Sequence, residues 1–233
     1  MSQKEKPQFD AYAESYGALH ERSIRASGEE PGYFAEYKIN YIARFIGPYA
    51  AKQRLSILDF GCGVGNSLSH LARTFPNAEL RGVDVSSESL RIARDSNPQV
   101  QFSLLSDGSI PFADHSLDLV MAACVYHHIP PQERQAWTGE IRRVLKPGGL
   151  MFMFEHNPLN PLTRHAVNHC EFDDDAVLLH RSESRSLLSR SGLGGVSTDY
   201  IVFFPKFLSF LRPLERYMGW LPLGAQYVTR AHA

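Results

Sequence analysis

The chain has 233 residues with 25 Asp and Glu against 24 Lys and Arg, a formal net charge of −1 and 43% hydrophobic residues. That length suits one large α/β core, and a near-neutral balance gives no electrostatic case for a nucleic-acid partner. Cys62, Cys124 and Cys170 are odd in number and unpatterned, which points to a reducing compartment.

The opening stretch MSQKEKPQFD is polar and lacks the apolar core of a secretory leader, so a cytoplasmic location is expected. Residues 1–53 read as an N-terminal helical segment. Phe9, Tyr12, Ala13 and Tyr16 recur at helical spacing, and beyond a break at Ser27-Gly28 come Tyr33, Phe34, Tyr37, Tyr41 and Phe45. Lys38 or Arg25 could pair with a cofactor carboxylate, but solvated charges are the expectation for both.

Leu55 to Phe60 is a short strand-forming run that ends on Asp59-Phe60 and breaks into Gly61, Gly63 and Gly65. Apolar residues at helical spacing, Leu68, Leu71, Ala72 and Phe75, follow. A strand, a glycine turn and a helix N-terminus make a place for a nucleotide-like ligand, because bare backbone admits close approach and free N–H groups face it. The dinucleotide fingerprint G-x-G-x-x-G is broken, with Asn66 at its third glycine. Asp84 ends the second strand at the distance of a ribose-binding carboxylate. At this point NAD and S-adenosylmethionine are both open.

Ser106-Asp107-Gly108 follows a third strand, Val100 to Leu105, and Asp118 in the fourth reads as a residue that orients the strand. Tyr126-His127-His128 comes after strand four, then a helix from about Pro131 to Leu145, the turn Lys146 to Gly149 and strand five, Leu150 to Glu155. A helix over Ala176 to Ser191, stopped by Gly192, precedes strand six, Val196 to Phe204, and strand seven, Ala225 to Ala231.

The segments LDFGCGVG, GVDVS, SDGSIPFADHSLDLV and VLKPGG stand in the order and spacing of the class I S-adenosylmethionine-dependent methyltransferases. Residues 54–155 resemble that family, nearest its small-molecule branch with the ubiquinone and menaquinone biosynthesis enzymes. The resemblance implies an α/β fold, a Rossmann-like seven-stranded, mostly parallel sheet with helices on both faces and an antiparallel last strand. It implies S-adenosyl-L-methionine as cofactor. Asp59 would serve the methionine end, Gly61, Cys62, Gly63, Gly65 and Asn66 the loop, Asp84 and Val85 the ribose, and Ser106, Asp107 and Gly108 the adenine. His128 would be structural or cofactor-facing. Residues 1–53 would form a lid and 54–233 the methyltransferase domain, with 156–180 and 205–223 as substrate-side or cap insertions. The aromatics of the first segment could then close over a sulfonium or simply pack on the sheet.

Methyl transfer asks the protein mainly for alignment and a dry pocket, plus a base when the acceptor is a hydroxyl. His127, His156 and Tyr126 are the catalytic candidates, and an oxygen of a small molecule is the expected acceptor. Methylation of nitrogen or carbon is the runner-up. Outside the class stand an NAD-dependent oxidoreductase, disfavoured by Asn66 and the lack of a Tyr-x-x-x-Lys pair after strand five, and a non-catalytic cofactor-binding protein.

Asn160-Pro161 reads as N-cap and first position of a helix carrying Arg164, His165 and His169. Glu155, His156 and Asn157 should point to the pocket mouth. His165, His169 and Cys170 lack a convincing fourth ligand, so no metal is expected, and Asp173-Asp174-Asp175 is read as capping the helix from Ala176. The stretch FFPKFLSFLRPLERYMGWLPL, residues 203–223, is too interrupted to span a bilayer. It would cover an apolar pocket or pack a homodimer, with a membrane-surface role disfavoured. EHNPLNPLTRHAVNHCEFDDDAVLL and LPLGAQY resemble a bacterial subgroup associated with surface-glycan and secondary-metabolite pathways.

Overall fold

The computed structural model describes residues 10, 22, 24–50, 52–170 and 173–233. The sequence reading of Phe9, Tyr12, Ala13 and Tyr16 lies outside the described residues. Seven strands form one sheet: β1 Ser56–Phe60, β2 Glu79–Asp84, β3 Gln101–Leu104, β4 Leu117–Ala123, β5 Leu145–His156, β6 Gly194–Ile201 and β7 Gln226–His232. Their order is β3-β2-β1-β4-β5-β7-β6. β3 to β5 are parallel neighbours, and β7 runs antiparallel between β5 and β6. The helices that flank this sheet are α1 Pro31–Ala50, α2 Leu68–Thr74, α3 Ser87–Ser96, α4 Arg134–Val144, α5 Pro161–Asn168 and α6 Arg181–Arg190.

The central strands are apolar throughout because both faces are covered. Successive residues alternate sides: Leu58, Phe60, Met151 and Met153 pack with Ile141 and Val144 of α4 and Leu188 of α6. Ile57, Phe152 and Phe154 face the other way, onto Ile39 and Ile42 of α1 and Leu68 and Leu71 of α2. Asp118 Oδ2 accepts from Ser56 N and from Lys146 Nζ, both at 2.8 Å, and so ties the starts of β1, β4 and β5. Between β1 and β4 the strand order reverses, which opens a crevice at their carboxyl ends.

Several boundaries move from the sequence reading. The fourth helix begins at Arg134, and strand five takes in Lys146 to Gly149, whose backbone pairs with Ala233. The helix expected from Ala176 begins at Arg181 with His180 as its N-cap residue. The acidic triplet 173–175 therefore caps no helix, and Asp173 is buried instead. β6 stops at Ile201, because Val202 takes a left-handed φ of 61° and the following N–H groups turn to a side chain. Glu215 accepts from Phe203 N and Phe204 N at 3.0 Å and from Tyr37 Oη at 2.7 Å, anchoring a 3-10 segment, Lys206–Tyr217, over the sheet edge.

Candidate active site

A cavity of about 630 Å³ occupies the crevice at the strand ends. One wall is the glycine loop with Asp59, Asp84 and Val85, and the other carries Cys124, His127, His128 and His156. Tyr33, Phe34 and Lys38 of α1 and Phe203, Phe204 and Phe207 close the remaining sides.

The loop is shaped by its neighbours. Gly61, Gly63 and Gly65 have φ of 72°, 52° and 85°, a region that costs other residues strain. A Cβ on Gly61 would meet Val125 and one on Gly65 would meet Asn97, whereas at Gly63 nothing lies within 4 Å. Gly61 and Gly65 thus permit packing, and Gly63 alone presents open backbone to the cavity. Asp84 Oδ2 accepts from Gly63 N at 2.8 Å and Oδ1 from Ser86 N at 2.9 Å. Its carboxylate holds the loop in shape while lining the cavity. Burial raises its pKa, against the opposing effect of those N–H groups.

Asp59 is 2% exposed at the end of β1. Burial, followed by the nearby charge of Asp84, pushes its pKa up to about 7, with Lys38 pulling the other way. Lys38 is itself 6% exposed and faces the cavity, which corrects its reading as a solvated charge; Arg25 is exposed. Cys62 is buried beneath the loop and packs toward Gly82, as a small residue in a tight turn should, and burial pushes its thiol well up. Asn66 lines the cavity. Ser106, Asp107 and Gly108 form an exposed turn, with φ of 59° at Asp107 and 69° at Gly108. Leu105, one residue earlier, lines the wall in their place.

On the opposite wall, a 3-10 turn, Tyr126–His128, presents its residues in different directions. Tyr126 is fully buried, its hydroxyl 3.1 Å from Thr138 Oγ1 and its ring against Phe60. It does not line the cavity, which removes it from the catalytic candidates. Glu155 is likewise sealed: Oε1 accepts from Val125 N at 3.1 Å and Tyr126 N at 2.8 Å, and Oε2 lies 2.6 Å from His127 Nδ1. Asn157 is buried and donates to Pro222 O and Gly224 O, so neither it nor Glu155 reaches the pocket mouth. His156, between them on β5, does line the cavity, 5.1 Å ring to ring from His127.

His127 is 1% exposed. Burial alone would lower its pKa, but the carboxylates of Glu155 and Asp173 outweigh that and raise it to about 10. A ring so raised holds its proton at neutral pH and is not free to take one from an acceptor. Glu155 and Asp173 are held low in turn, because the charge and ring contacts of the histidines outweigh burial. Cys124 sits in a left-handed conformation, φ 60°, and its thiol is drawn down to about 7; burial would raise it, yet Lys38 and His156 prevail.

Asn160 caps α5 as expected, its side chain accepting from Leu162 N and Thr163 N. The rings of His165 and His169 lie tilted at 39° with centroids 4.1 Å apart on the exposed side of that helix, and neither lines the cavity. In the N-terminal segment, Tyr37 and Tyr41 bond Glu215 and Asp199, and Phe45 packs edge-on to Phe152, so packing holds for these three. Tyr33 and Phe34 are the aromatics that reach the cavity.

Sequence reasoning missed the burial of Lys38, and it missed Cys124, Asp173 as a cavity residue and the Glu215 anchor. Lys38 had a signal: in α1 it lies one turn before Ile42, on the same stripe as Ile42 and next to Ile39, and both isoleucines are buried. Asp173 had none, since nothing local shows that its loop folds back onto the histidine turn.

Residues 57–149 match the family described as Methyltransferase domain. The chain is 37% identical over 99 residues to Methyltransferase GfsG of Streptomyces halstedii, covering 40% of this chain and 34% of that one. It is 34% identical over 109 residues to demethylmenaquinone methyltransferase of Chlorobaculum parvum, covering 46% and 44%. The chain spans between a third and a half of the length of the curated relatives it matches. A solved SAM-dependent methyltransferase from Archaeoglobus fulgidus superposes with a TM-score of 0.69 at 17% identity, over 94% of this chain and all of that one. No helix among the described residues is long and apolar enough to cross a membrane. By motif order, sheet topology and this match, residues 57–149 carry the methyltransferase-domain pattern on a fold like that of solved S-adenosylmethionine-dependent methyltransferases.

Proposed function

We propose that this protein methylates an oxygen of a small-molecule acceptor. The observation that carries the reading is that one cavity joins the glycine loop and Asp84 to the wall holding His156. The cradle suits the cofactor: open backbone at Gly63, a carboxylate at Asp84 with lone pairs to spare for ribose hydroxyls, and Asp59 as a counter-charge for an ammonium. Asp107 at the rim is assigned to the adenine amino group. Bound there, the cofactor supplies an electrophilic methyl group on a positively charged sulfur.

The chain's own residues then align and dry the site. Tyr33 and Phe34 offer aromatic faces, and the apolar cap over 203–207 excludes water. Of the three catalytic candidates, Tyr126 is sealed in the core and His127 is proton-loaded. His156 is therefore assigned as the base that takes the acceptor's proton. A surface-glycan precursor or secondary metabolite is the acceptor class carried over from the resemblance.

Calorimetric titration with S-adenosylhomocysteine, with NAD in parallel, tests the cofactor; saturable binding of the first alone, lost in Asp84→Ala, is expected. A panel of hydroxylated small molecules with methyl-labelled cofactor tests the acceptor. His156→Gln should cut kcat by about 10²–10⁴-fold and leave S-adenosylhomocysteine binding intact. Binding of NAD instead would sink the reading, and label on nitrogen or carbon would move it to the runner-up.

A further inference from the structure

Two histidines and an aspartate converge on the acceptor side of the cavity. His127 and His128 are neighbours on the turn after β4, and the returning chain is pinned over them by Val177 N donating to His127 O at 2.8 Å. Each imidazole has its Nδ1 against a carboxylate: Glu155 Oε2 at 2.6 Å for His127 and Asp175 Oδ1 at 3.2 Å for His128. With Nδ1 so occupied, both Nε2 atoms face one oxygen, Asp173 Oδ1, at 3.6 and 3.3 Å. That side chain is 6% exposed, and its Oδ1 is buried without a hydrogen bond.

This is the arrangement of metal ligands whose outer nitrogens are held by carboxylates. At a zinc–ligand bond of ~2.1 Å, the two nitrogen–oxygen separations of 3.3 and 3.6 Å subtend roughly 105° and 120° at a shared ion, and the three ligand atoms all lie within 4.8 Å of one another. The ion partners of Glu155 and Asp173 among the described residues are histidines alone, so a dication would balance two buried carboxylates, taking the place of the proton on His127, which leaves Nε2 as the metal binds. All three ligating residues line the cavity, which puts the open coordination position toward the acceptor.

We propose that His127 Nε2, His128 Nε2 and Asp173 Oδ1 bind one divalent transition-metal ion of the zinc type, with Glu155 and Asp175 orienting the two rings. Two imidazoles and one carboxylate favour zinc, cobalt or iron(II) over magnesium. If the cavity performs oxygen methylation as proposed above, the ion holds the acceptor oxygen as a Lewis acid and eases loss of its proton to His156. The metal site itself does not depend on that reading.

The test uses the full chain, stripped with chelator and titrated with Zn²⁺, Co²⁺ and Mg²⁺ by calorimetry, with the visible spectrum of the Co²⁺ form as a second readout. One equivalent of Zn²⁺ or Co²⁺ is expected, with Mg²⁺ far weaker. Asp173→Asn and His128→Gln should each lower affinity at least ~100-fold, and Glu155→Gln about 10–100-fold. The exposed pair His165 and His169, changed together to alanine, should leave binding unchanged. Absence of stoichiometric binding in the wild type overturns the proposal, as does binding that survives both ligand variants or is lost with His165 and His169. S-adenosylhomocysteine binding, measured on the same proteins, shows that each variant is folded. It also separates the two readings, because zinc failing while S-adenosylhomocysteine binds leaves the methyltransferase reading standing, and the converse leaves the metal site.

Discussion

Two glycines of one loop should separate folding from cofactor binding. Gly61 and Gly63 both have positive φ, 72° and 52°, so alanine at either carries a similar left-handed cost of about 1–2 kcal/mol. They differ in what the added methyl meets. At Gly61 it would lie 2.6 Å from Val125 Cγ2 and 2.7 Å from Cγ1, while at Gly63 nothing lies within 4 Å. Forcing a methyl group into packed surroundings costs about 1–3 kcal/mol more. At about 2–4 °C per kcal/mol for a chain of this size, Gly61→Ala should melt roughly 2–12 °C below Gly63→Ala. The Gly63→Ala methyl enters the cavity, so that variant should keep most of its stability yet bind S-adenosylhomocysteine at least ~10-fold more weakly, about 1.4 kcal/mol. Thermal melting by circular dichroism and calorimetry on both variants supply the numbers. Equal melting points would show that Val125 yields freely, and wild-type affinity in Gly63→Ala would refute the loop as the cofactor's cradle.

Three other outcomes are expected. Asp59, raised to about 7 by burial, keeps its proton in the fold where the unfolded chain has lost it, so its stabilising contribution weakens as pH climbs from about 4 to 7. Asp59→Asn should flatten that slope and be the more stable protein at pH 8, by urea titration at each pH; an unchanged slope would refute the shift. Wild-type affinity for S-adenosylhomocysteine should rise as the pH passes through about 7, where Asp59 ionises in the fold, and be lower and without that rise in the variant. Arg134 is 1% exposed and donates to Ile129 O, Glu183 Oε1 and Val177 O at 2.9, 2.7 and 2.7 Å. Stranding those acceptors should make Arg134→Ala cost about 3 kcal/mol, read as a shifted denaturation midpoint, with wild-type stability counting against the clamp. Glu215→Ala removes the acceptor that holds Phe203, Phe204 and Tyr37, so limited proteolysis should cut within 203–217 sooner than in the wild type. An unchanged cleavage pattern would show that the 3-10 segment is held by something else.

The parts of this molecule legible from sequence are those governed by short-range rules. Gly61, Gly63 and Gly65 answer to local φ, strands buried on both faces write themselves as apolar runs, and Asn160-Pro161 caps a helix through its own next two residues. Because these constraints act within a few residues of chain, their order specified the strand–turn–helix core, while the sheet expected of it came from the resemblance of the motifs to a known family. The direction of a side chain on a turn has no such local rule. Tyr126, His127 and His128 are consecutive, yet one is sealed against Thr138, one is held by Glu155, and one faces Asp173 and Asp175. Lys38 is buried, not solvated, only because the sheet, the cap and the histidine wall enclose the space around it. Asp173 could be read as a helix cap until the chain was seen to double back over β4. Burial and charge pairing are decided by what returns from far along the sequence, so the chemistry of this cavity belongs to the tertiary structure, and the glycine loop at its edge to the sequence.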